Sequence, residues 1–245
     1  MEPPRWQVHW RPKAGSTEAE YEDAFGAAPG RLASSLFAVA DGATESSYSR
    51  EWAEALVTSY RDGASWKPSF VRALPSLQSR WRADHLARTS SWYAEQKVQQ
   101  GAFAAFLGVR LLPRDGHYRL HGLAVGDCEL AHLSGGAVHC TFPLAHSADF
   151  GIHPVLIGTG SPVSEIREMA RGRREDVHSG DVLLLMSDAI AAWFLGATER
   201  GEEPWHQVLA LEPGDADDFR RWVDGLWASG RMRNDDVTLG IVRVP

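Results

Sequence analysis

The sequence predicts an α+β fold in which antiparallel sheets carry helices on their outer faces. Two observations point there. Short apolar runs rich in β-branched residues follow one another without regular strand–helix–strand alternation, and the stretch Leu133-Ser134-Gly135-Gly136-Ala137 reads as a hairpin turn between strands. Elsewhere, apolar residues recur at helical spacing.

The strand candidates are 35–40 (SLFAVA), 104–112, 117–125, 129–133, 181–186 (DVLLLM) and 237–244. GLAV and VLLLM are apolar at successive positions, so both faces of those strands should be covered; a sheet with a wet face would alternate. Trp52, Leu56 and Tyr60 stand at i, i+4, i+8, and Phe70, Leu74, Leu77 and Trp81 continue the same kind of stripe. A third helix should carry Phe219, Trp222, Val223, Leu226 and Trp227, starting in the acidic GDADD and stopping before Gly230. Many of the ten tryptophans lie on these stripes and read as core, not as a ligand cage.

Composition bounds the function. At 245 residues the chain is long enough for a sizeable core, and no repeat, low-complexity tract or linker divides it, so 1–245 reads as a single domain. A formal net charge of −7 argues against a nucleic-acid partner. The N-terminus lacks the apolar stretch of a signal peptide and no run has the length of a membrane helix, so a cytoplasmic setting without membrane attachment is expected. Cys128 and Cys140 form no C-x-x-C pattern, and although they could pair, nothing in their spacing demands it.

The chemistry lies in acids at strand ends. Asp41 follows LFAVA, Asp127 follows GLAV-Gly, Asp188 follows VLLLM-Ser, and Asp235-Asp236 precede VTLGIVRV. In antiparallel sheets the end of one strand lies beside the start of its neighbour, so all of them can meet at one rim. Each has a structural alternative: Asp41-Gly42 as a turn, Asp188 as a helix N-cap, Asp127 as a turn residue, and Asp235-Asp236 as a solvated loop. Their joint placement favours a shared purpose. Clustered carboxylates resist joint ionisation unless a cation neutralises them, and Mg²⁺ or Mn²⁺ suits such oxygen ligands.

The motifs in their order resemble the metal-dependent type 2C protein phosphatases, specifically a small bacterial variety. EYEDAF (20–25), FAVADGA (37–43), GAFAAFLGVRL (101–111), LAVGDCELAHL (123–133), GDVLLLMSDAI (180–190) and NDDVTLGIV (234–242) are similar to that family's successive motifs. The resemblance implies a four-layer α-β-β-α sandwich with two metal ions, and a place for a third, at one rim. It implies that Asp41 bridges the metals, that Gly42 offers its carbonyl, and that Asp188 and Asp235 bind one ion. Glu22 and Asp23 would hold the other ion or its waters, and Asp127 would sit by the third. Asp41, Asp188 and Asp235 would thereby carry catalysis, which is attack of a metal-activated water on a phosphomonoester of serine or threonine. A phosphorylated protein, or a partner serine/threonine kinase, is the implied partner.

The sequence departs from the family pattern at several points. Glu45 occupies a glycine position in DGATE, Ala189 follows Ser187-Asp188, Ala192 replaces an aspartate, and Gly126-Asp127 continues as Cys128-Glu129. Glu18 stands where a phosphate-binding arginine is expected, which leaves Arg11 and Lys13 as substitutes. These departures keep a second reading open, a phosphatase-like regulatory module that binds metal or a phosphoprotein without turnover. A phosphatase of small molecules is a third. Segment 146–176 falls where the family carries a variable flap. There His146, His153, Arg167, Arg171, Arg173 and Arg174 either recognise a phosphopeptide or form the solvated basic face of a loop and helix.

Overall fold

The computed structural model describes residues 2–44, 46–63, 67–151, 155–211 and 214–245; Glu45 and His153 lie outside the described residues. Among the described residues the strands are β1 (Arg5–Arg11), β2 (Ala24–Pro29), β3 (Ser35–Gly42), β4 (Phe103–Arg114), β5 (His117–Val125), β6 (Glu129–Ser134), β7 (Ala137–Phe142), β8 (Ile157–Gly158), β9 (Arg171–Val177), β10 (Val182–Met186) and β11 (Val237–Arg243). The α-helices are α1 (Ser49–Arg61), α2 (Lys67–Arg88), α3 (Trp92–Gln100), α4 (Val163–Met169), α5 (Asp188–Glu199), α6 (Pro204–Leu209) and α7 (Ala216–Ala228). One sheet has the order β1-β11-β10-β6-β7 and the other β2-β3-β4-β5-β9, with β8 paired to β4. Their described pairings are antiparallel.

The period of two along a strand builds the four layers. Leu36, Ala38 and Ala40 of β3 pack with Trp52 and Leu56 of α1 and with Phe70 and Leu74 of α2. The intervening Phe37 and Val39 face the other way, onto Leu183 and Leu185 of β10 and Val242 of β11. In turn, Leu184 and Met186 of β10 face Ile190 and Phe194 of α5 and Phe219 and Val223 of α7. Runs that are apolar at every position are therefore central strands squeezed between a helix layer and the partner sheet, as expected from VLLLM. Helix α7 begins at the Asp215 side chain, which accepts from Asp218 N at 2.8 Å. Its chain leaves through Gly230, whose φ of +66° is a left-handed conformation that glycine adopts without penalty.

Two edge strands differ from the expectation. β1 (RWQVHWR) has a single fully buried position, so its sequence lacks an apolar run. β9 (RGRREDV) lies in segment 146–176, which the sequence reads either as a flap recognising a phosphopeptide or as a loop and helix with a solvated basic face. Its arginines instead lie on a strand paired with β5, because an edge strand needs backbone partners on one side only and tolerates charge on the other.

Candidate metal centre

Asp41 stands one residue beyond Ala40 on β3, opposite Ala105 of β4. It has the parity of Phe37 and Val39, so its carboxylate points between the sheets at their rim. There Asp41 Oδ2 accepts from Asp188 N, the first residue of α5, at 3.4 Å. Gly42 follows in a cradle that admits no side chain. A Cβ there would lie 2.7 Å from the Glu22 carbonyl oxygen and 2.9 Å from Ser49.

Asp188 reaches the rim because β10 ends at Met186 and Ser187 turns the chain into α5. Ser187, not Asp188, occupies the cap position, and its hydroxyl accepts from Thr238 N at 2.9 Å, which fixes the start of α5 to β11. Asp235 lies just before β11. Arg233 joins the two acids: its guanidinium pairs with Asp188 Oδ2 and lies 3.1 Å from Asp235 Oδ2.

The N-terminal acids arrive by a different device. Asp236 is buried, and its two carboxylate oxygens accept from Lys13 N at 2.8 Å and Glu22 N at 2.7 Å. This acid therefore pins segment 13–22 to β11, which separates its role from that of its neighbour Asp235. Asp23 is buried beneath, where Oδ2 accepts from the Thr238 hydroxyl at 2.7 Å and Oδ1 has no hydrogen-bond partner among the described residues. Glu22 accepts from the Ser49 hydroxyl and pairs with Lys13 Nζ at 3.2 Å. A cleft of about 430 Å³ opens beside it, lined by Lys13, Tyr21, Glu22, Thr44, Ser49 and Arg50 among others.

Asp127 comes to the rim through Gly126, whose φ is +94° and where a Cβ would lie 2.7 Å from the Ala105 side chain. A second cleft, of about 460 Å³, runs from Asp127 past Pro143, Leu144, Asp149, Glu168 and Arg171. Glu129, two residues on, is fully buried; Oε2 accepts from Leu144 N at 3.0 Å. Burial, with Asp127 nearby, pushes its carboxyl up to about 9 despite that donor.

These acids act on one another. Burial, then the charges of Asp23, Asp188, Asp127 and Asp235, push the Asp41 carboxyl well above the usual range. Asp23 is raised by burial and by Asp236 and Asp188, against the Thr238 hydrogen bond. Asp188 is raised by burial, although Arg233 pulls it down. Asp127 rises to about 6, from burial first and Asp188 next. Asp41, Asp188, Asp235, Asp127 and Asp23 thus form one electrostatic unit. It consists of oxygen donors with an orphaned buried oxygen, a backbone cradle at Gly42 and a guanidinium standing where positive charge is needed. A hard divalent cation fits this donor set.

The substitutes expected for the missing arginine fare differently. Lys13 is beside Glu22, with Nζ also 3.1 Å from the Thr44 hydroxyl. Arg11 is not at the rim face: it is held on α7 by Asp224 at 3.0 Å and lies over the Trp227 ring at 5.8 Å, because β1 presents it outward beside that helix. Sequence reasoning missed Arg233. Its only signal was a basic residue two positions before an acid already singled out, a spacing with no secondary-structure period behind it. His146 lies 3.5 Å from Glu199 on the surface, and Arg171 lines the Asp127 cleft. Neither cysteine is in a disulfide; Cys128 is buried and Cys140 is partly exposed.

No family model matches the chain, and no curated protein does. Solved structures do. A serine/threonine phosphatase of S. agalactiae is similar at 14% identity with a TM-score of 0.63, over 98% of this chain and 100% of that one. The catalytic domain of the serine/threonine protein phosphatase PstP, solved with two manganese ions, is similar at 16% identity and TM-score 0.60, over 99% of each chain. PppA, described as a key regulatory component of the T6SS in Pseudomonas aeruginosa, is similar at 22% identity and TM-score 0.58, over 99% of this chain and 98% of that one. Two antiparallel sheets between helix layers, matched end to end by these structures, give this chain the fold of the type 2C bacterial serine/threonine phosphatases.

Proposed function

We propose that the chain is a Mn²⁺- or Mg²⁺-dependent phosphatase of phosphoserine and phosphothreonine in proteins, a small member of the type 2C family. The observation that carries the reading is the convergence of Asp41, Asp127, Asp188 and Asp235 at one rim, where the last three raise the protonation of Asp41. The similar PstP catalytic domain was solved with two manganese ions, which supports a divalent-metal reading of this rim.

In this reading Asp41 is the central ligand and the Gly42 carbonyl a second contact. Asp188 and Asp235 hold one ion, Glu22 and Asp23 the other or its waters, and Asp127 a third where one binds. Divalent ions there supply a water of lowered pKa and neutralise charge growing on the phosphoryl oxygens. The protein's own part is placement. Ser187 and Thr238 lock Asp188 and Asp23 to β11, and Asp236 holds Glu22 against the rim. The pairing of Arg233 with Asp188 and Asp235 keeps a positive group beside the place an incoming phosphate would take. The partner in this reading is a phosphorylated protein or a serine/threonine kinase.

A second reading rests on a specific observation. Glu18 pairs with Arg220, Arg11 with Asp224 and Lys13 with Glu22, so the N-terminal segment offers no described guanidinium to a phosphate. A regulatory module that binds metal or a phosphoprotein without turnover fits that arrangement. The deciding experiment is Mn²⁺ titration by calorimetry with aryl phosphate and phosphopeptide turnover followed in the same samples. The enzyme reading expects binding with turnover that Asp41→Asn abolishes; binding without turnover on either substrate favours the regulatory module. Unchanged Mn²⁺ binding in both Asp188→Asn and Asp235→Asn would sink the site assignment.

A further inference from the structure

β7 and β9 each form an edge of their sheet, and side chains of the two edges meet away from the carboxylate rim. His132 on β6 and Cys140 on β7 are directly paired in register, so their side chains lie side by side, and Glu175 projects from β9 toward them. We propose that His132 Nδ1, Cys140 Sγ and Glu175 Oε1 form a Zn²⁺ site that clips the two sheets together, independent of the rim.

The donor types are those zinc selects, one imidazole nitrogen, one sulfur and one carboxylate oxygen. One ligand atom from each lies within 4.8 Å of the others. Nδ1 is 3.2 Å and Sγ 3.4 Å from Glu175 Oε1. Zinc bonds of about 2.0–2.3 Å in a tetrahedron place ligand atoms roughly 3.3–3.6 Å apart, so little movement is required. The outer contacts are also those of a metal site. His132 Nε2 is 2.9 Å from Asp181 Oδ2, and Arg173 holds the other Glu175 oxygen at 2.8 Å. A carboxylate on the far ring nitrogen fixes the tautomer that turns Nδ1 toward a metal, and it raises that nitrogen's basicity. His132 is buried while Cys140 is partly exposed, which leaves the fourth position open to water from the solvent side.

Burial pushes His132 down, but hydrogen bonds with Cys140, Glu175 and Asp181 outweigh it and lift the ring to about 10. Zinc would replace that proton and the thiol proton, releasing both, with thiolate and carboxylate balancing the ion's two charges. His132 is paired with Leu183 of β10, three residues before Met186 at the rim, roughly 10 Å along the strand.

Cobalt reports the ligand directly, because thiolate–Co²⁺ coordination gives a near-ultraviolet charge-transfer band. The full chain should bind one Co²⁺ with that band, displaced by Zn²⁺. The band should vanish in Cys140→Ser and persist in Cys128→Ala and Asp41→Asn. Asp181→Asn should weaken binding roughly 10–100-fold. In the unmutated chain, one equivalent of Zn²⁺ should slow alkylation of Cys140 on the order of 10-fold, read by mass spectrometry. Absence of the band, its survival in Cys140→Ser, its loss in Asp41→Asn, or unprotected Cys140 would each overturn the proposal. A triad joined by hydrogen bonds alone gives the first and last of these results.

Discussion

Replacing Asp127 by asparagine tests whether the rim stores electrostatic strain that a cation relieves. Asp127 is buried, and its carboxyl is raised from 3.8 to about 6 by burial first and by Asp188 next, although Arg233 pulls the other way. That rise corresponds to about 3 kcal/mol of differential cost for the charged form. The sign follows from proton counts. Between the two values the folded protein binds the proton that the unfolded chain has released, so stability falls as pH rises through that window. Above it the cost is fully developed. Asparagine keeps the shape and removes the charge but still buries an amide, so we expect a gain of about 2 kcal/mol at neutral pH.

The assay is urea unfolding with a chelator present, at acid and neutral pH, for wild type and Asp127→Asn. Near pH 4 the two should coincide within about 0.5 kcal/mol; near pH 7 the variant should be the more stable, by about 4–8 °C in Tm. Saturating Mn²⁺ should reverse the order, because the wild type then gains a ligand the variant lacks. A variant less stable than wild type at neutral pH without metal would refute the electrostatic account. An equal gain at both pH values would assign the effect to packing instead.

Arg233→Ala removes the guanidinium that pairs with Asp188 and Asp235. This side chain is half exposed, so the change should tighten Mn²⁺ by about tenfold in calorimetry; weaker binding would mean that Arg233 orders the acids and does not stand in for a cation. Gly42→Ala forces a Cβ to within 2.7 Å of the Glu22 carbonyl oxygen, so the backbone must shift. We expect a loss of about 1–3 kcal/mol together with weakened Mn²⁺ binding, and a variant that binds normally would free Gly42 of its assigned place. Glu129→Gln mimics an acid raised to about 9, which holds its proton when folded and loses it when unfolded at neutral pH. Unfolding near pH 7 should cost about 2 kcal/mol more than in wild type, with no gain near pH 4, while Mn²⁺ binding is unchanged.

The central strands were legible because burial on both faces leaves an unmistakable composition. Ser35–Gly42 and Val182–Met186 are squeezed from two sides, and the acids that follow them mark the rim. The edge strands were not legible. Arg171–Val177 owes its strand state to the backbone of β5, and a charged sequence carries no trace of that partner. Asp235 and Asp236 are told apart in sequence only by the family resemblance, which names Asp235 as a ligand. The fold separates them, since one faces Arg233 and the other binds the amides of Lys13 and Glu22. Arg11 illustrates the opposite failure. Its nearness in sequence to the first acidic motif suggested a phosphate ligand, but the pleat of β1 delivers it to α7.

The rim also explains how so acidic a site survives folding before any metal arrives. Asp41 cannot ionise freely beside Asp23, Asp188, Asp127 and Asp235, and two devices lower the charge meanwhile. Asp23 keeps a proton to higher pH in its buried place under Thr238, and Arg233 places a guanidinium against two of the remaining acids. A divalent ion competes with both, so binding should release protons, and the heat of Mn²⁺ binding should differ between buffers of unequal ionisation enthalpy. Arg233→Ala should increase that proton release, because Asp188 loses the guanidinium that holds its carboxyl down. Asp23→Asn should do the reverse to the proton count, because its amide has nothing to release. If the heat of binding were the same in every buffer, the acids would already be ionised in the folded protein, and Arg233 alone would be their counter-charge.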